Sequence, residues 1–160
     1  MGKSIPRVHF SLFAVFLSLV AMLGGLILNF RAFGWGGANG WNLLVTICCM
    51  ALWGLALFIA TEHRRRRVLM YCFVFWTVAV FLSAAGLYVV SNDFPHNYLT
   101  MILIPLQMLL YGQLTGLAYF FGNNLQLGHI AVLMISFVMA TVSMILYRRV
   151  RRAGREMRGR

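Results

Sequence analysis

The sequence is poor in charge, and poorest in acidic side chains. Asp and Glu together number three in 160 residues, against fourteen Lys and Arg, and charged side chains make up only 11% of the chain. That share is about half of what a soluble globular domain carries. Hydrophobic residues reach 61%. The composition therefore excludes a water-soluble single domain and indicates a membrane protein.

The scarcity of acids also disfavours several kinds of chemistry. Glu62, Asp93 and Glu156 are far apart in the sequence, and none lies in the middle of an apolar stretch. Metal-dependent catalysis on phosphates needs several carboxylates, or histidines and acids together, and proton-coupled transport needs an ionisable group at mid-depth. The three cysteines lie within apolar stretches, where thiols behave as small hydrophobes. The sequence predicts no metal site, no cofactor and no disulfide framework.

Long uncharged stretches predict the fold class. About 20 apolar residues are needed to cross a bilayer as a helix, and lipid-exposed backbone must be helical because lipid offers it no hydrogen-bond partner. We predict an all-α integral membrane protein, a compact bundle of five hydrophobic helical segments in one domain, residues 1–147, followed by a basic cytoplasmic tail, residues 148–160. The five predicted segments are residues 10–28, 43–61, 68–90, 99–121 and 130–147.

The cations are grouped, and their grouping predicts the topology. Lys3 and Arg7 precede the first segment, four arginines fill residues 64–67, and seven follow residue 147, which leaves Arg31 alone. Cations of short loops stay on the cytoplasmic side. Five simple crossings would divide the groups with no bias. Four crossings, with one segment entering and leaving on the same face, would place every group on one side, so we favour that arrangement with both termini cytoplasmic; five crossings remain the alternative.

The fourth segment is the best candidate for re-entry. Its flanks contain no Lys or Arg, and Pro105 and two glycines interrupt it. A break near residues 111–113 would divide it into two half-length legs, which are tolerated only when they are buried in protein or line a cavity. Its polar side chains are predicted to bind a ligand or a partner, and these are Gln107, Tyr111, Gln113 and Thr115.

Small residues recur at four-residue spacing in several segments, and such spacing lets membrane helices approach closely. We interpret them as packing positions within the bundle, and a dimerisation face is the alternative. The positions are Ser18, Ala21, Gly25, Ala56, Ala60, Gly112, Gly116, Ser136 and Ala140.

The densest polar cluster, residues 91–98, lies between the third and fourth segments. Asp93 would orient His96 as a general base, or the pair would bind a metal together with His129. The Asn-Asp pair before Pro95 is also typical of an ordinary turn. Asp93 and His96 are therefore only weak catalytic candidates.

The arginine-rich tail is predicted to bind anionic lipid, because each cation near a membrane surface contributes about 1 kcal/mol. No aromatic side chains are interleaved with these arginines, so nucleic-acid binding is not predicted. The predicted lipid-binding residues are Arg148, Arg149, Arg151, Arg152 and Arg155.

Three functions fit this sequence. The leading hypothesis is a non-enzymatic multi-pass subunit of the bacterial cytoplasmic (inner) membrane, which binds another membrane protein or self-associates through its small-residue faces. The alternative is a small oligomeric channel or carrier for a neutral, lipidic or anionic solute. A second alternative is a lipid-modifying enzyme centred on Asp93 and His96.

Overall fold

The computed structural model describes residues 8–32, 37–91 and 98–156. These residues are almost entirely helical and contain no strand. Four helices are long and apolar enough to cross a membrane. A fifth, shorter helix is followed directly by a 3₁₀ helix. The elements are α1 (Val8–Arg31), α2 (Gly40–Glu62), α3 (Arg66–Ser91), α4 (Tyr98–Tyr111), η1 (Gly112–Phe121) and α5 (Leu125–Glu156).

The outer surface of the four long helices is apolar, as lipid requires. At a rise of 1.5 Å per residue, helices of 23 to 32 residues cover the roughly 30 Å of hydrocarbon in a bilayer. Large apolar side chains point outward from them, with Ile27 72% exposed and Phe81 71% exposed. The chain is a multi-pass, all-helical membrane protein.

Several predicted boundaries differ from those of the structure. The connection between the first two predicted segments, residues 29–42, is shorter in the structure, because α1 continues to Arg31 and α2 begins at Gly40. Asn39 caps α2 through a reciprocal pair of side-chain bonds with Asn42, which satisfies two amide groups at the helix start. The predicted basic tail begins as helix, since α5 continues to Glu156.

The two arginine groups lie at the same end of the bundle. α1 packs mainly on α2, and α3 packs mainly on α5. Arg66 Nη2, at the start of α3, lies 3.5 Å from the carbonyl oxygen of Arg151 near the end of α5. Phe10 of α1 stacks on His63 after α2, with ring centroids 3.7 Å apart. We call this the basic end. Its arginines are Arg64, Arg65, Arg66, Arg67, Arg148, Arg149, Arg151 and Arg152.

The fourth predicted segment is bent. The axes of α4 and η1 meet at 88°, and the bend follows Tyr111, where the sequence predicts a break. The residues that flank the segment lie at the end opposite the basic end. There Gln126 Nε2 donates to Ser91 Oγ at 3.2 Å, and Asn123 Nδ2 donates to the Ala38 carbonyl at 3.1 Å.

The small-residue positions are buried inside the bundle, as their packing interpretation predicts. All nine are buried. A Cβ atom on Gly25 would collide with Gln113, and one on Gly116 would collide with the backbone carbonyl of Asn42. These positions therefore bring η1 against α1 and α2, and they are not available as an outer face.

Candidate ligand cavity and the adjoining polar network

A cavity of about 950 Å³ lies towards the end opposite the basic end. Its walls come from both legs of the bent segment and from the neighbouring ends of α1, α3 and α5. Most of the lining is apolar, including Leu103, Leu114 and Val132. Of the described residues that line it, none is Asp, Glu, Lys or Arg. The polar side chains among them are Gln107, Thr115, Asn123 and His129.

Gln107 and His129 meet across Gly86. The Gln107 side chain is buried, and its Nε2 donates to the Leu82 carbonyl at 3.0 Å. His129 Nδ1 lies 2.8 Å from the Leu125 carbonyl. Because a carbonyl only accepts, this contact is a hydrogen bond donated by Nδ1. A Cβ on Gly86 would collide with Gln107 Nε2 and lie 3.0 Å from His129 Nε2. Glycine at residue 86 is therefore what allows both side chains to approach α3.

Thr115 forms part of the cavity wall, but its hydroxyl is buried behind that wall. Its Oγ1 has no hydrogen-bond partner among the described residues. A buried polar group without a partner costs about 1–3 kcal/mol.

A fully buried aromatic cluster lies between the cavity and the basic end. Trp53 stacks on Phe75 with ring centroids 4.8 Å apart, and it meets Trp76 edge-on at 5.1 Å. Trp53 and Trp76 are completely buried. These buried rings pack together in the interior of the bundle on that side of the cavity.

A buried polar network fixes the bend between α4 and η1. At the bend, the Gly112 and Gln113 carbonyls accept from Asn29 Nδ2 at 3.2 and 3.3 Å. The Gln113 carbonyl also accepts from Thr46 Oγ1 at 2.8 Å. Asn42 Nδ2 donates to Asn29 Oδ1 at 3.1 Å. A bend interrupts helical hydrogen bonding, and in an apolar core other partners must replace it. Asn29 and Thr46 provide those partners.

The Gln113 side chain belongs to this network. It is completely buried, its Oε1 accepts from Trp53 Nε1 at 2.9 Å, and its Nε2 donates to the Leu110 carbonyl at 3.2 Å. Thr46 Oγ1 additionally accepts from the Gly116 amide at 3.2 Å. The network thus ties both the side chain and the backbone of η1 to α2.

The predicted site residues therefore divide between two places. Gln107 and Thr115 line the cavity, whereas Gln113 belongs to the network and does not line it. Tyr111 ends α4, and its side chain lies outside the described residues, as do Asp93 and His96. Of the predicted lipid-binding arginines, all but Arg155, whose side chain lies outside the described residues, are exposed.

Sequence reasoning missed the role of the asparagines. It left Asn29 and Asn42 outside the predicted segments and gave Thr46 no role. A signal was present, because amide side chains one turn inside an apolar stretch need partners. The sequence cannot identify those partners, since the acceptors are backbone carbonyls more than 80 residues away.

Among the described residues, no group of three His, Cys, Asp or Glu side chains lies close enough together to hold a metal ion. The chain matches no protein-family model, no curated protein and no solved structure. Function is therefore inferred from the cavity and its surroundings.

Proposed function

We propose that this multi-pass membrane protein binds a neutral, lipid-like amphipathic molecule in the cavity between the bent segment, α3 and α5. The observation that carries this proposal is an apolar pocket with a few convergent polar groups and, among the described residues that line it, no charged side chain. Its volume of about 950 Å³ falls in the range of small-molecule sites, roughly 300–1,000 Å³.

The lining selects the class of ligand. Placing a charged group there would remove it from water without a counter-ion, which is costly. A neutral molecule with a hydroxyl, ester or amide group avoids that cost. Such a group would meet the polar side chains of Gln107 and His129, while an alkyl chain would lie against the apolar walls. The aromatic cluster favours a binding pocket over a channel through one chain.

We further propose a topology of four crossings, with α4 and η1 re-entrant and the basic end cytoplasmic. Two observations support it. The arginine groups share one end of the bundle, and positive charge favours the cytoplasmic side. Both flanks of the bent segment meet neighbours at the other end. The cavity would then open towards the outer leaflet.

Cysteine accessibility tests this topology. In a background with the native cysteines replaced by serine, Asn124→Cys is expected to react with a membrane-impermeant maleimide in intact cells. Arg155→Cys is expected to react only after permeabilisation, because it lies beyond the last crossing on the other side. Labelling of Arg155→Cys in intact cells, or of neither variant, would contradict the proposed arrangement.

Photolabelling tests the cavity. A diazirine-bearing monoacylglycerol, incorporated with the protein into nanodiscs, is expected to label the α4 and η1 peptides that line the cavity. Gly86→Ala should reduce that labelling about tenfold, as expected for a loss near 1.4 kcal/mol, because the new methyl group displaces Gln107 and His129. Mass spectrometry of the labelled peptides measures the change.

Gly128→Ala is the matched control. Gly128 also lines the cavity, but a Cβ there meets only Ala118 at ordinary distances of 3.5 Å or more. Its labelling should stay within about twofold of wild type, since a contact of that length costs little. Equal labelling in both glycine variants, or label confined to lipid-facing residues, would exclude the cavity as the binding site.

A partner-binding subunit is the second candidate. The small residues predicted to form its contact face are buried within the chain, so a partner would have to bind the exposed apolar side chains that otherwise face lipid. The enzyme hypothesis rests on Asp93 and His96, which lie outside the described residues, and no described contact adds to it.

A further inference from the structure

A second pocket, on the outer surface of α5, lies at the basic end. It has a volume of about 400 Å³ and is lined by three arginines, one isoleucine and one alanine. It is separate from the cavity described above, and its lining is charged where that of the cavity is neutral. We call it the arginine notch, and its residues are Ile145, Arg148, Arg149, Arg152 and Ala153.

The notch arises from helical spacing. Arg148 and Arg152 are four residues apart, and Arg149 and Arg152 are three apart, so the three side chains share one face of α5. All three are exposed. Four further arginines, residues 64–67, span the end of the α2–α3 turn and the start of α3. They lie at the same end and add to the positive charge there.

No described acidic side chain neutralises the positive charge of the notch. Within the described residues, no carboxylate forms an ion pair with Arg148, Arg149 or Arg152. Guanidinium groups gathered on one face repel one another unless an anion lies between them. An arginine fork binds the oxygens of a phosphate through two parallel hydrogen bonds. The notch therefore fits a phosphate group.

An apolar strip leads from the notch into the membrane-facing part of α5. Val138, Val142 and Ile145 follow one another at spacings of four and three residues, and the same spacings continue to Arg149 and Arg152. The three apolar side chains are 53%, 37% and 58% exposed, respectively. A molecule with a phosphate head and an alkyl chain would match both parts of this face at once.

We propose that the arginine notch binds the headgroup phosphate of an anionic phospholipid, with an acyl chain along the apolar strip of α5. Two observations carry this inference. The notch arginines are grouped without an acidic partner among the described residues, and the apolar strip continues them along the same helix face. It is independent of the ligand in the neutral cavity. The lipid would anchor the last helix at the basic end.

Lipid binding to the purified full-length protein tests this inference. Native mass spectrometry in a neutral detergent would measure titrations with dioctanoyl-phosphatidylglycerol and dioctanoyl-phosphatidylcholine. We expect the anionic lipid to bind about tenfold more tightly than the zwitterionic one. A difference of that order is expected when two arginines each contribute up to about 1 kcal/mol to the binding of an anionic lipid. Arg148→Gln with Arg152→Gln should abolish that preference.

A matched double variant distinguishes lipid binding in the notch from attraction by the overall positive charge of the basic end. Arg67→Gln with Arg151→Gln removes the same charge at the same end, and both side chains are exposed. Neither lines the notch, and the Arg151 carbonyl that accepts from Arg66 remains. The control should retain most of the preference for phosphatidylglycerol. If both double variants lost the preference equally, the lipid would be responding only to the overall charge of the basic end, and the proposal would be overturned.

The source of the phosphate is tested by competition. Inorganic phosphate and glycerol phosphate have the headgroup charge without the acyl chain. Neither should displace dioctanoyl-phosphatidylglycerol at concentrations equal to that of the lipid, because neither contacts the apolar strip. Displacement by equal concentrations of either would identify a site for free anions and overturn the assignment to a lipid, as would a wild-type protein without preference for the anionic lipid.

Discussion

Gly25→Ala is expected to destabilise the protein by about 3 kcal/mol, the upper part of the range for inserting a methyl group into a packed core. The same substitution at the neighbouring Gly24 is expected to be neutral or stabilising by up to about 1 kcal/mol, since alanine is the better helix former. The two variants carry the same substitution at adjacent positions of α1.

The reason lies in what each methyl group would meet. At Gly24 nothing lies within 4 Å. At Gly25 the new Cβ would collide with Gln113 Cβ and would lie 2.7 Å from Gln113 Cα and 2.9 Å from Cys49 Sγ. Gln113 is held by Trp53 and Thr46, so it cannot move aside without breaking the network. The substitution is therefore expected to break hydrogen bonds that fix the bend between α4 and η1.

Reversible unfolding of the purified protein in mixed micelles measures the free energy of unfolding of both variants. Gly25→Ala should also lower the photolabelling of the cavity, because η1 forms one of its walls. If both glycine variants were as stable as wild type, the close packing of η1 on α1 would be excluded.

Asn29→Asp is expected to cost about 3 kcal/mol or more, a loss typical of a buried hydrogen-bond network that is broken. The change replaces one NH₂ group by one oxygen, so side-chain volume is conserved. It removes the donor to the Gly112 and Gln113 carbonyls and places a carboxylate against them in a completely buried position. Burial of an uncompensated charge adds to the loss.

Gln126→Glu supplies the control for this prediction. It makes the same amide-to-carboxylate change at an exposed position, where the side chain donates to Ser91 Oγ at 3.2 Å. Its free energy of unfolding should stay within about 0.5 kcal/mol of wild type. The same micelle unfolding measurement applies, and equal effects of the two variants would show that Asn29 does not hold the bend.

The two glutamines of the bent segment illustrate the limit of sequence reasoning. Both Gln107 and Gln113 are polar side chains in an apolar stretch, and the sequence treats them alike. The structure places Gln107 in the cavity lining and Gln113 against Trp53. An 88° bend between them turns the second side chain away from the face of the first. No periodicity in the sequence specifies that angle.

The amino-acid sequence by itself determined the helical membrane class, because long uncharged stretches leave the backbone no alternative to helices in lipid. It also located the interruption near residue 112 and the small residues that pack inside. Only the tertiary structure decided which polar side chains meet, because Asn29, Thr46 and Gln113 become neighbours only when α1, α2 and η1 pack together. The cavity is likewise a product of packing, since its walls come from separate helices that no local pattern brings together.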